Sequence, residues 1–385
     1  MKQETPMQKL LGVLDKNAKK SKRGSGYRSV ADTVNEYRWI DFHDPKLNCP
    51  ALLLEWLWGG RGMLAGRMLK IEAPEGAGKS SYLMLQYAMA QKSCNAFCIH
   101  EETEHAIAPP DYIASFGADP DNIVFPDLEE KSLDNILSDI DWTCAQIRND
   151  VDPEKKHPII VGLDSISAAG TDEGMEEEAF DMSKGTPGEH SRTMSKYFRD
   201  RFGILAKQDV LLVIIAQLRE KINTGGFSRP GETKTTTIAA KPLNYHASYI
   251  MSMYNTPMKD AGKQIGAFVS LEVRKNKVSP KGRQAQIPLR WGSGFDLQTP
   301  CVDMLARNPV KLPSGNEFAI EQTSYVKCPM LNFSERSCPE AKADLMRAVY
   351  ANPELLMQLR EALQVRGFGF KFEQWGPPQE PNDGE

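Results

Sequence analysis

The sequence predicts an α/β fold, with a twisted, mostly parallel central sheet flanked by helices. Strand-like and helix-like segments alternate from about residue 68, and this order builds a parallel sheet with helices on both faces. The segments 158–165 and 209–218 are continuous apolar runs bounded by turn residues, as expected of strands buried on both faces. The chain has 385 residues, 41% of them apolar, which is enough for one large domain with smaller appendages or for two domains.

The predicted elements follow one another in a regular order. Helices are predicted where apolar residues recur every three or four positions, and strands where apolar residues alternate or run continuously. The predicted segments are strands at 67–73 and 95–101, helices at 79–91 and 132–148, a strand at 158–165, a helix at 190–207, a strand at 209–218, and strand-like segments at 248–255, 267–277 and 285–291.

The two ends and one internal stretch differ from the alternating middle. Residues 4–18 have apolar side chains at helical spacing, and the basic, Gly- and Ser-containing stretch 19–28 is predicted to be a linker. The stretch 218–247 lacks clear periodicity, and so long a loop in a compact domain is usually functional or disordered. We predict four parts: an N-terminal helix and linker for subunit contact (1–34), a core (35–300), a small C-terminal domain (301–372) and a flexible acidic tail (373–385).

Composition narrows the class of protein. The formal charge is −4, from 47 basic and 51 acidic residues, so any nucleic-acid binding must come from local clusters. The seven cysteines form no Cys-x-x-Cys pair, which argues against structural zinc and for reduced thiols in the cytoplasm. The N-terminus lacks the apolar core of a signal peptide, and no apolar run approaches the roughly 20 residues of a membrane span. We therefore expect a cytoplasmic protein without membrane contact.

The stretch "KIEAPEGAGKSS" has the form of a phosphate-binding loop between a predicted strand and a predicted helix. Backbone N–H groups at a helix start bind phosphate oxygens, helped by the helix dipole. In this pattern Lys79 neutralises the terminal phosphates of a nucleoside triphosphate and Ser80 holds Mg²⁺. Ala73 replaces the first glycine, whereas Gly76 and Gly78 remain. A small residue can keep that turn if φ stays negative.

Carboxylates follow two of the predicted strands. Asp164 ends an apolar strand and fits the acidic residue that orders the Mg²⁺ shell, although an Asp at a strand end is often only a helix cap. Glu101, Glu102 and Glu104, in "HEETEHA", are candidates for orienting the attacking water. Taken alone, this acidic segment is as well explained as a solvated turn.

Six motifs occur in a consistent order over roughly residues 35–300. They are "APEGAGKSS", "CIHEETEHA", "VGLDSISA", "IIAQLREKI", "VRKNKVSP" and "LRWGSGFD". Together they resemble the RecA recombinase family, which implies a RecA-like ATPase core with DNA-binding loops. The divergent C-terminal part is closer in size to phage recombinases of the UvsX kind. Departures from the family pattern are Ala73 and the stretch Ile238–Ala240, where the family has two glycines.

The resemblance implies roles for individual residues. It places the catalytic glutamate on Glu104 and the γ-phosphate sensor on Gln217. It also implies that Lys275 and Lys277 reach the ATP of a neighbouring subunit, and that the N-terminal helix docks on that subunit. The predicted catalytic residues are Glu104, Lys79 and Gln217, and the predicted metal ligands are Ser80 and Asp164. The predicted nucleotide-binding residues are Glu75, Gly76, Ala77, Gly78, Lys79, Ser80, Ser81, Tyr112, Trp291, Lys275 and Lys277.

Two regions are candidates for DNA binding. The helix 190–207 carries several basic residues, although exposed charges on an amphipathic surface helix explain any one of them equally well. The stretch 218–247 is basic and suits sequence-independent contact with phosphates. By family position and charge, the predicted DNA-binding residues are Arg192, Ser195, Arg199, Arg219, Lys221, Ile222, Arg229, Lys234 and Lys241.

The leading hypothesis is an ATP-dependent recombinase that forms helical filaments on single-stranded DNA and pairs it with homologous double-stranded DNA. ATP and Mg²⁺ are the expected cofactors, DNA-stimulated ATP hydrolysis the expected activity, and loading proteins conceivable partners. The cytoplasm would be bacterial, or that of the host if the protein is phage-encoded. Two alternatives stay open: a hexameric helicase or motor on the same fold, and an accessory DNA-binding regulator with a weakened ATPase.

Overall fold

A computed structural model describes residues 38–60, 62–103, 108–126, 132–167, 169–170, 189–220, 235–306, 310–312 and 315–369. The chain divides into two compact units, Met1–Trp39 and Ile40–Glu385. The predicted N-terminal helix and the predicted acidic tail lie outside the described residues. In the described ranges, no helix combines the length and the apolarity that crossing a bilayer requires.

The helices predicted at 79–91 and 132–148 lie close to their predicted positions, as α2 and α4, with bounds that the capping residues explain. Ser132 caps α4 by accepting a hydrogen bond from the Asn135 N–H at 3.2 Å, and Asn95 ends α2 in the left-handed conformation. The helices are α1 (Leu52–Trp58), α2 (Lys79–Cys94), α3 (Pro110–Ala114), α4 (Leu133–Gln146), α5 (Glu189–Asp200), α6 (Phe202–Lys207), α7 (Ala240–His246), α8 (Thr299–Leu305), α9 (Pro339–Tyr350) and α10 (Pro353–Gly369).

The strands form one large sheet and several small ribbons. They are β1 (Trp39–Asp41), β2 (His43–Asp44), β3 (Cys49–Pro50), β4 (Gly62–Leu64), β5 (Met68–Ala73), β6 (Phe97–Glu102), β7 (Ile123–Val124), β8 (Ile159–Asp164), β9 (Val210–Gln217), β10 (Arg219–Glu220), β11 (Thr235–Thr236), β12 (Tyr249–Asp260), β13 (Lys263–Asn276), β14 (Gln284–Arg290), β15 (Gly294–Phe295), β16 (Val310–Lys311), β17 (Glu317–Phe318), β18 (Glu321–Gln322), β19 (Tyr325–Cys328) and β20 (Phe333–Arg336).

The large sheet has nine strands in the order β15-β14-β13-β12-β5-β9-β8-β6-β7. The run from β12 to β7 is parallel, whereas β13, β14 and β15 add an antiparallel edge. This confirms the predicted α/β class with a mostly parallel sheet. Because the carboxyl ends of parallel strands meet at one edge, the residues that end β5, β8 and β9 are brought together there.

Both faces of the sheet are covered, and β9 shows how the sequence achieves this. Its residues Leu211, Val213 and Ile215 belong to one apolar core, and Leu212 and Ile214 belong to the other. The first core packs α1, α2 and the C-terminal helices α8, α9 and α10 against the sheet. The second packs α4, α5, α6 and α7 against the opposite face. Continuous apolarity is what a strand between two such layers requires.

Two regions differ from the predicted secondary structure. The helix predicted at 190–207 is divided at Arg201 into α5 and α6. The stretch 218–247, predicted to be irregular, contains the pairing of β10 with β11 and ends in α7. Helix α7 was missed because it is only seven residues long and contains Pro242. A short segment with an internal proline carries no clear helical periodicity.

Candidate functional site

The phosphate loop lies between β5 and α2, as its sequence predicts. Ala73 is the last residue of β5, is fully buried and pairs with Gln217 on β9. Gly76 and Gly78 have φ values of 68° and 91°, a conformation that glycine adopts without strain. The left-handed turns therefore fall on the two retained glycines, and the alanine occupies a position in a strand, where its Cβ is tolerated.

The first turn of α2 has the properties of an anion-binding helix start. Gly78 precedes the helix and supplies no side-chain cap, so the backbone N–H groups of this turn point toward the loop. The Lys79 Nζ donates to the Pro74 carbonyl at 2.8 Å, which holds the ammonium group over the loop. The Asn255 Nδ2 donates to the Gly76 carbonyl at 2.6 Å. Strand β12, which carries Asn255, thus fixes the loop backbone.

The carboxyl ends of β8 and β9 supply the polar groups that face the loop. Asp164 ends β8 and lies 5% exposed in the wall of the same cavity as Lys79. Thr103 and Ser165 hold this strand end in place: the Thr103 Oγ1 donates to the Ser165 carbonyl at 2.7 Å and accepts from the Ser165 N–H at 2.9 Å. Gln217 ends β9, and its N–H donates to the Ser167 Oγ at 3.1 Å.

Aromatic residues also line the cavity. The Tyr112 hydroxyl lies 2.7 Å from the Ser81 Oγ, and its ring makes an edge contact with Phe116 at 5.0 Å. Trp291 is 62% exposed at the rim, next to Arg290. The cavity has a volume of about 400 Å³, which falls within the range of small-molecule sites. A cavity that combines aromatic side chains with a phosphate loop suits a nucleotide.

Most of the predicted nucleotide and metal residues line this one cavity. The side chain of Ala77 is instead buried in the core, so only its backbone can contribute to the site. Lys275 and Lys277 line a different cleft, and Glu104 lies outside the described residues. The predicted residues around the cavity are Glu75, Gly76, Gly78, Lys79, Ser80, Ser81, Tyr112, Asp164, Gln217 and Trp291.

Sequence reasoning missed four polar residues of the cavity, Asn255, Gln264, Arg290 and Ser115. The first two lie on the long hairpin of β12 and β13, which no phosphate-loop pattern includes. Arg290 could have been found, because it directly precedes Trp291 in the motif "LRWGSGFD".

The two described glutamates of "HEETEHA" are built into the fold. Glu101 and Glu102 are 2% and 7% exposed, and neither lines the cavity. The Glu102 Oε2 lies 3.6 Å from the His100 Nε2, and the His100 Nδ1 lies 3.1 Å from the Tyr87 hydroxyl. A carboxylate held in such a network is poorly placed to orient water over the phosphate loop.

The predicted DNA-binding residues with described side chains are exposed. Arg192, Ser195 and Arg199 lie on the outer face of α5, opposite its buried residues. Lys241 is exposed on α7 and shares a cleft with Lys275. Arg219 belongs to β10, and its side chain is outside the described part. Lys221, Ile222, Arg229 and Lys234 also lie outside the described residues.

The donor set of the cavity fits Mg²⁺ bound together with a nucleotide. Among the described residues, no three His, Cys, Asp or Glu side chains are grouped as a metal site. The cavity instead offers the Ser80 hydroxyl and the Asp164 carboxylate. Mg²⁺ is commonly held in this way, by one or two protein oxygens together with phosphate oxygens and water.

These features define the class: an α/β nucleotide-binding protein whose phosphate loop and strand ends share one cavity. Comparison with known proteins identifies the family, because the RecA N-terminal domain matches residues 46–296. The chain belongs to the RecA family, which confirms the resemblance seen in the motifs. Recombination, DNA repair, ATP binding and DNA binding are therefore its family-level properties.

Several curated relatives span most of the chain, and each is named Protein RecA. The protein of Sulfurimonas denitrificans is 30% identical over 276 residues, which cover 71% of this chain and 74% of the relative. That of a Sulfurovum species is 28% identical and covers 83% of both chains. That of Pseudomonas fluorescens is 27% identical, covering 83% of this chain and 82% of the relative.

Proposed function

We propose that this protein is a DNA-dependent ATPase that forms helical filaments on single-stranded DNA and promotes homologous pairing and strand exchange. The observation that carries the proposal is the position of Gln217. It lines the nucleotide cavity at the end of β9, and the stretch that begins at Arg219 follows two residues later. A change at the phosphates thus has a direct covalent route to a predicted DNA-binding segment.

The proposal gives a role to each cavity residue that would contact the nucleotide. Lys79 and the N–H groups of the loop bind the β- and γ-phosphates, and Tyr112 and Trp291 provide faces for the base. Ser80 and Asp164 hold Mg²⁺, which supplies positive charge against the phosphoryl oxygens. Because Glu101 and Glu102 are buried away from the cavity, Glu104 is the best candidate for orienting the water.

Gln217 would couple the nucleotide to DNA. When its side chain contacts a γ-phosphate, β9 and the following segment adopt the DNA-binding arrangement, and DNA in turn favours the ATP-bound state. We expect Gln217→Ala to bind ATP nearly as well as the wild type and to lose DNA stimulation of turnover. Unchanged DNA-stimulated turnover in this variant would contradict the coupling.

Assembly would complete the ATPase site. Lys275 and Lys277 line a separate cleft, as expected of residues that act on the nucleotide of an adjacent subunit. The N-terminal segment 1–34 is proposed to make a further contact between subunits. When two different surfaces of the chain form the contact, each subunit can bind a further subunit. If the rotation between neighbouring subunits does not close a ring, the subunits form a helical filament. The rate of ATP turnover per molecule of protein should then rise with protein concentration. A monomer with full ATPase activity would contradict the assignment.

The exposed face of α5 is the proposed DNA contact among the described residues. Arg192, Ser195 and Arg199 lie three or four residues apart and therefore share one face of the helix. The 3.3 Å pair between Arg199 and Asp200 is highly exposed, so a DNA phosphate can compete for the guanidinium. Arg192→Ala should weaken binding to all DNA sequences alike. It should also reduce the dependence of the DNA affinity on salt by the amount expected for about one phosphate contact. Lys92→Ala, on α2, is the matched surface control.

Two measurements decide between the candidate functions. ATP turnover with and without single-stranded DNA separates the ATPases from an accessory regulator. Electron microscopy of the ATP-bound protein on single-stranded DNA separates open filaments from hexameric rings. Lys79→Ala, which lacks the cation of the phosphate loop, should show neither turnover nor nucleotide-dependent filaments. Normal filaments from this variant would overturn the proposal.

A further inference from the structure

Arg290, the last residue of β14, is a cation in the wall of the nucleotide cavity that the proposed function leaves without a role. Its guanidinium makes no hydrogen bond and no ion pair with any residue that the structure describes. The residue is half-buried, whereas Trp291 and Gly292, which follow it, are exposed. A guanidinium has five N–H donors and no acceptor. These donors therefore remain available to an acceptor that enters the cavity.

The sheet offers Arg290 no side chain to pack against on either paired strand. Its partners in the register are Gly266 on β13 and Gly294 on β15. Both positions require glycine: a Cβ at Gly266 would come within 2.1 Å of the Leu289 carbonyl oxygen, and Gly294 has a φ of 68°. Cross-strand side chains are the usual contacts of a strand residue. Without them, the space beside the Arg290 side chain stays open to a ligand.

The position of Arg290 along the cavity follows from its neighbours in the chain. Leu289 lies against the phosphate loop, because a Cβ at Gly78 would be 3.6 Å from the Leu289 Cδ2. Trp291 lies at the exposed rim, where the proposed function places the base. In a nucleoside triphosphate, the α-phosphate joins the terminal phosphates to the sugar and base. Arg290, between the loop and the rim, therefore stands at the level of the α-phosphate.

The charges of the cavity favour the same group of the nucleotide. The charged residues of its described lining are Glu75, Lys79, Asp164 and Arg290, two of each sign. Lys79 is proposed to bind the terminal phosphates and Asp164 to hold Mg²⁺, so Arg290 is the cation that remains for the α-phosphate. A guanidinium matches the geometry of phosphate oxygens, and a hydrogen bond between two charged groups is about twice as strong as a neutral one.

We propose that Arg290 is a further nucleotide-binding residue, which donates hydrogen bonds to the α-phosphate. The inference rests on the proposed function, because it requires that this cavity holds the nucleotide. The α-phosphate does not react when the γ-phosphate is hydrolysed, so the contact binds substrate and transition state equally. Arg290 therefore sets the affinity for ATP and for its product ADP, and leaves the chemical step unchanged.

Glu340, at the start of α9, defines the structural alternative for Arg290. Hydrogen bonds with its own backbone N–H and with Cys338 lower the pKa of Glu340, and the Coulombic effect of Arg290 lowers it further. No ion pair joins these two described residues, and Glu340 is exposed, so water screens their attraction. If Arg290 only held α9 in place, Arg290→Met and Glu340→Gln would lower the melting temperature and the nucleotide affinity by similar amounts.

The test compares the binding of AMP, ADP and adenosine to the full-length protein without DNA. Displacement of a fluorescent ADP analogue, whose own affinity is measured first for each variant, gives the three affinities. We expect Arg290→Met to bind AMP and ADP about tenfold or more weakly, by the same factor for both, and to bind adenosine as the wild type does. Arg290→Lys keeps the cation and should recover part of the loss. Lys281→Met, at an exposed position in the loop before β14, is the matched control and should bind like the wild type.

Steady-state ATP turnover provides a second measurement. Arg290→Met should raise KM for ATP by about the factor lost in AMP binding, at unchanged kcat, as expected when uniform binding is removed. A fall in kcat at unchanged KM would contradict a contact with the non-reacting phosphate.

The results that refute the proposal differ from those that refute the proposed function. Equal AMP affinity in Arg290→Met and the wild type would show that Arg290 does not bind the nucleotide. An equal loss for adenosine and AMP would place its contact on the sugar or base, and an equal loss in Glu340→Gln would make its role structural. The proposed function fails separately, through the absence of DNA-stimulated turnover in the unmodified protein. Binding of AMP is measured without DNA and without hydrolysis, so it does not depend on that turnover.

Discussion

Removal of the buried Lys70 side chain should destabilise the protein strongly. Lys70 is 1% exposed on β5, and its Nζ donates to the Glu72 Oε2 at 2.8 Å. The other Glu72 oxygen accepts from the Ser252 Oγ at 2.9 Å. Lys70→Met fills most of the same volume but leaves a carboxylate that is 14% exposed without its cation. Breaking such a pair costs about 3–5 kcal/mol, because the remaining charge is poorly solvated.

Urea denaturation followed by circular dichroism measures this loss. With a denaturant dependence of about 3 kcal/mol per molar, the midpoint should fall by about 1 M or more. The double variant Lys70→Met/Glu72→Gln removes the unpaired charge and should recover most of the stability. Lys92→Met, at an exposed position on α2, controls for the loss of a lysine and should stay within about 0.5 kcal/mol of the wild type. A midpoint for Lys70→Met within 0.2 M of the wild type would refute the reasoning.

Four further substitutions probe the site and its support. Ser81→Ala and Tyr112→Phe each remove one side of a 2.7 Å hydrogen bond, so each should raise KM for ATP about fivefold and the double variant no further. Asn255→Ala removes the donor to the Gly76 carbonyl and should raise KM for ATP severalfold without changing the free energy of unfolding. A loss of stability in this variant would indicate that the hydrogen bond has a structural role. Gly162→Ala should lower the melting temperature by several degrees, because its Cβ would come within 2.2 Å of a tyrosine hydroxyl of α2; an unchanged melting temperature would contradict this packing.

How much of the site could be predicted depends on how its residues are distributed along the chain. The phosphate loop is contiguous, so its residue pattern is visible in the sequence alone. Asp164 and Gln217 are distant in sequence, but each ends an apolar strand, and parallel strands end at one edge. Asn255 and Gln264 lie on an antiparallel hairpin that returns to the loop. No local pattern predicts where such a hairpin lies, so these two residues needed the structure.

The cleft lined by Arg67, Lys241, His246, Lys275 and Lys277 shows the same limit for charge. Lys275 and Lys277 are visible as a motif, and Lys241 belongs to a basic stretch. Their meeting with Arg67 and His246 depends on α7, a helix that begins after Ala239 in a left-handed conformation with φ of 49°. Hydrophobic periodicity does not predict such an irregular helix start. Its position was therefore needed to see that charges from three parts of the chain form one site.

The same electrostatics predict how stability depends on pH. The pKa of His246 is lowered in the folded protein by burial and by the two lysines, whereas in the unfolded chain it is about 6.5. Between the lowered pKa of the folded protein and about pH 6.5, the unfolded state therefore binds more protons than the folded state. The stability associated with neutral His246 is fully present above about pH 6.5 and is lost as the pH falls through the depressed value.

His246→Gln cannot take up this proton. Its melting temperature relative to that of the wild type should therefore rise as the pH is lowered from 8.0 to 5.5. Differential scanning calorimetry of both proteins measures the difference, with His43→Gln as the control for loss of a histidine outside the cleft. A constant difference between the two proteins at both pH values would show that burial and the two lysines do not lower the pKa of this histidine, and the electrostatic reasoning would be wrong.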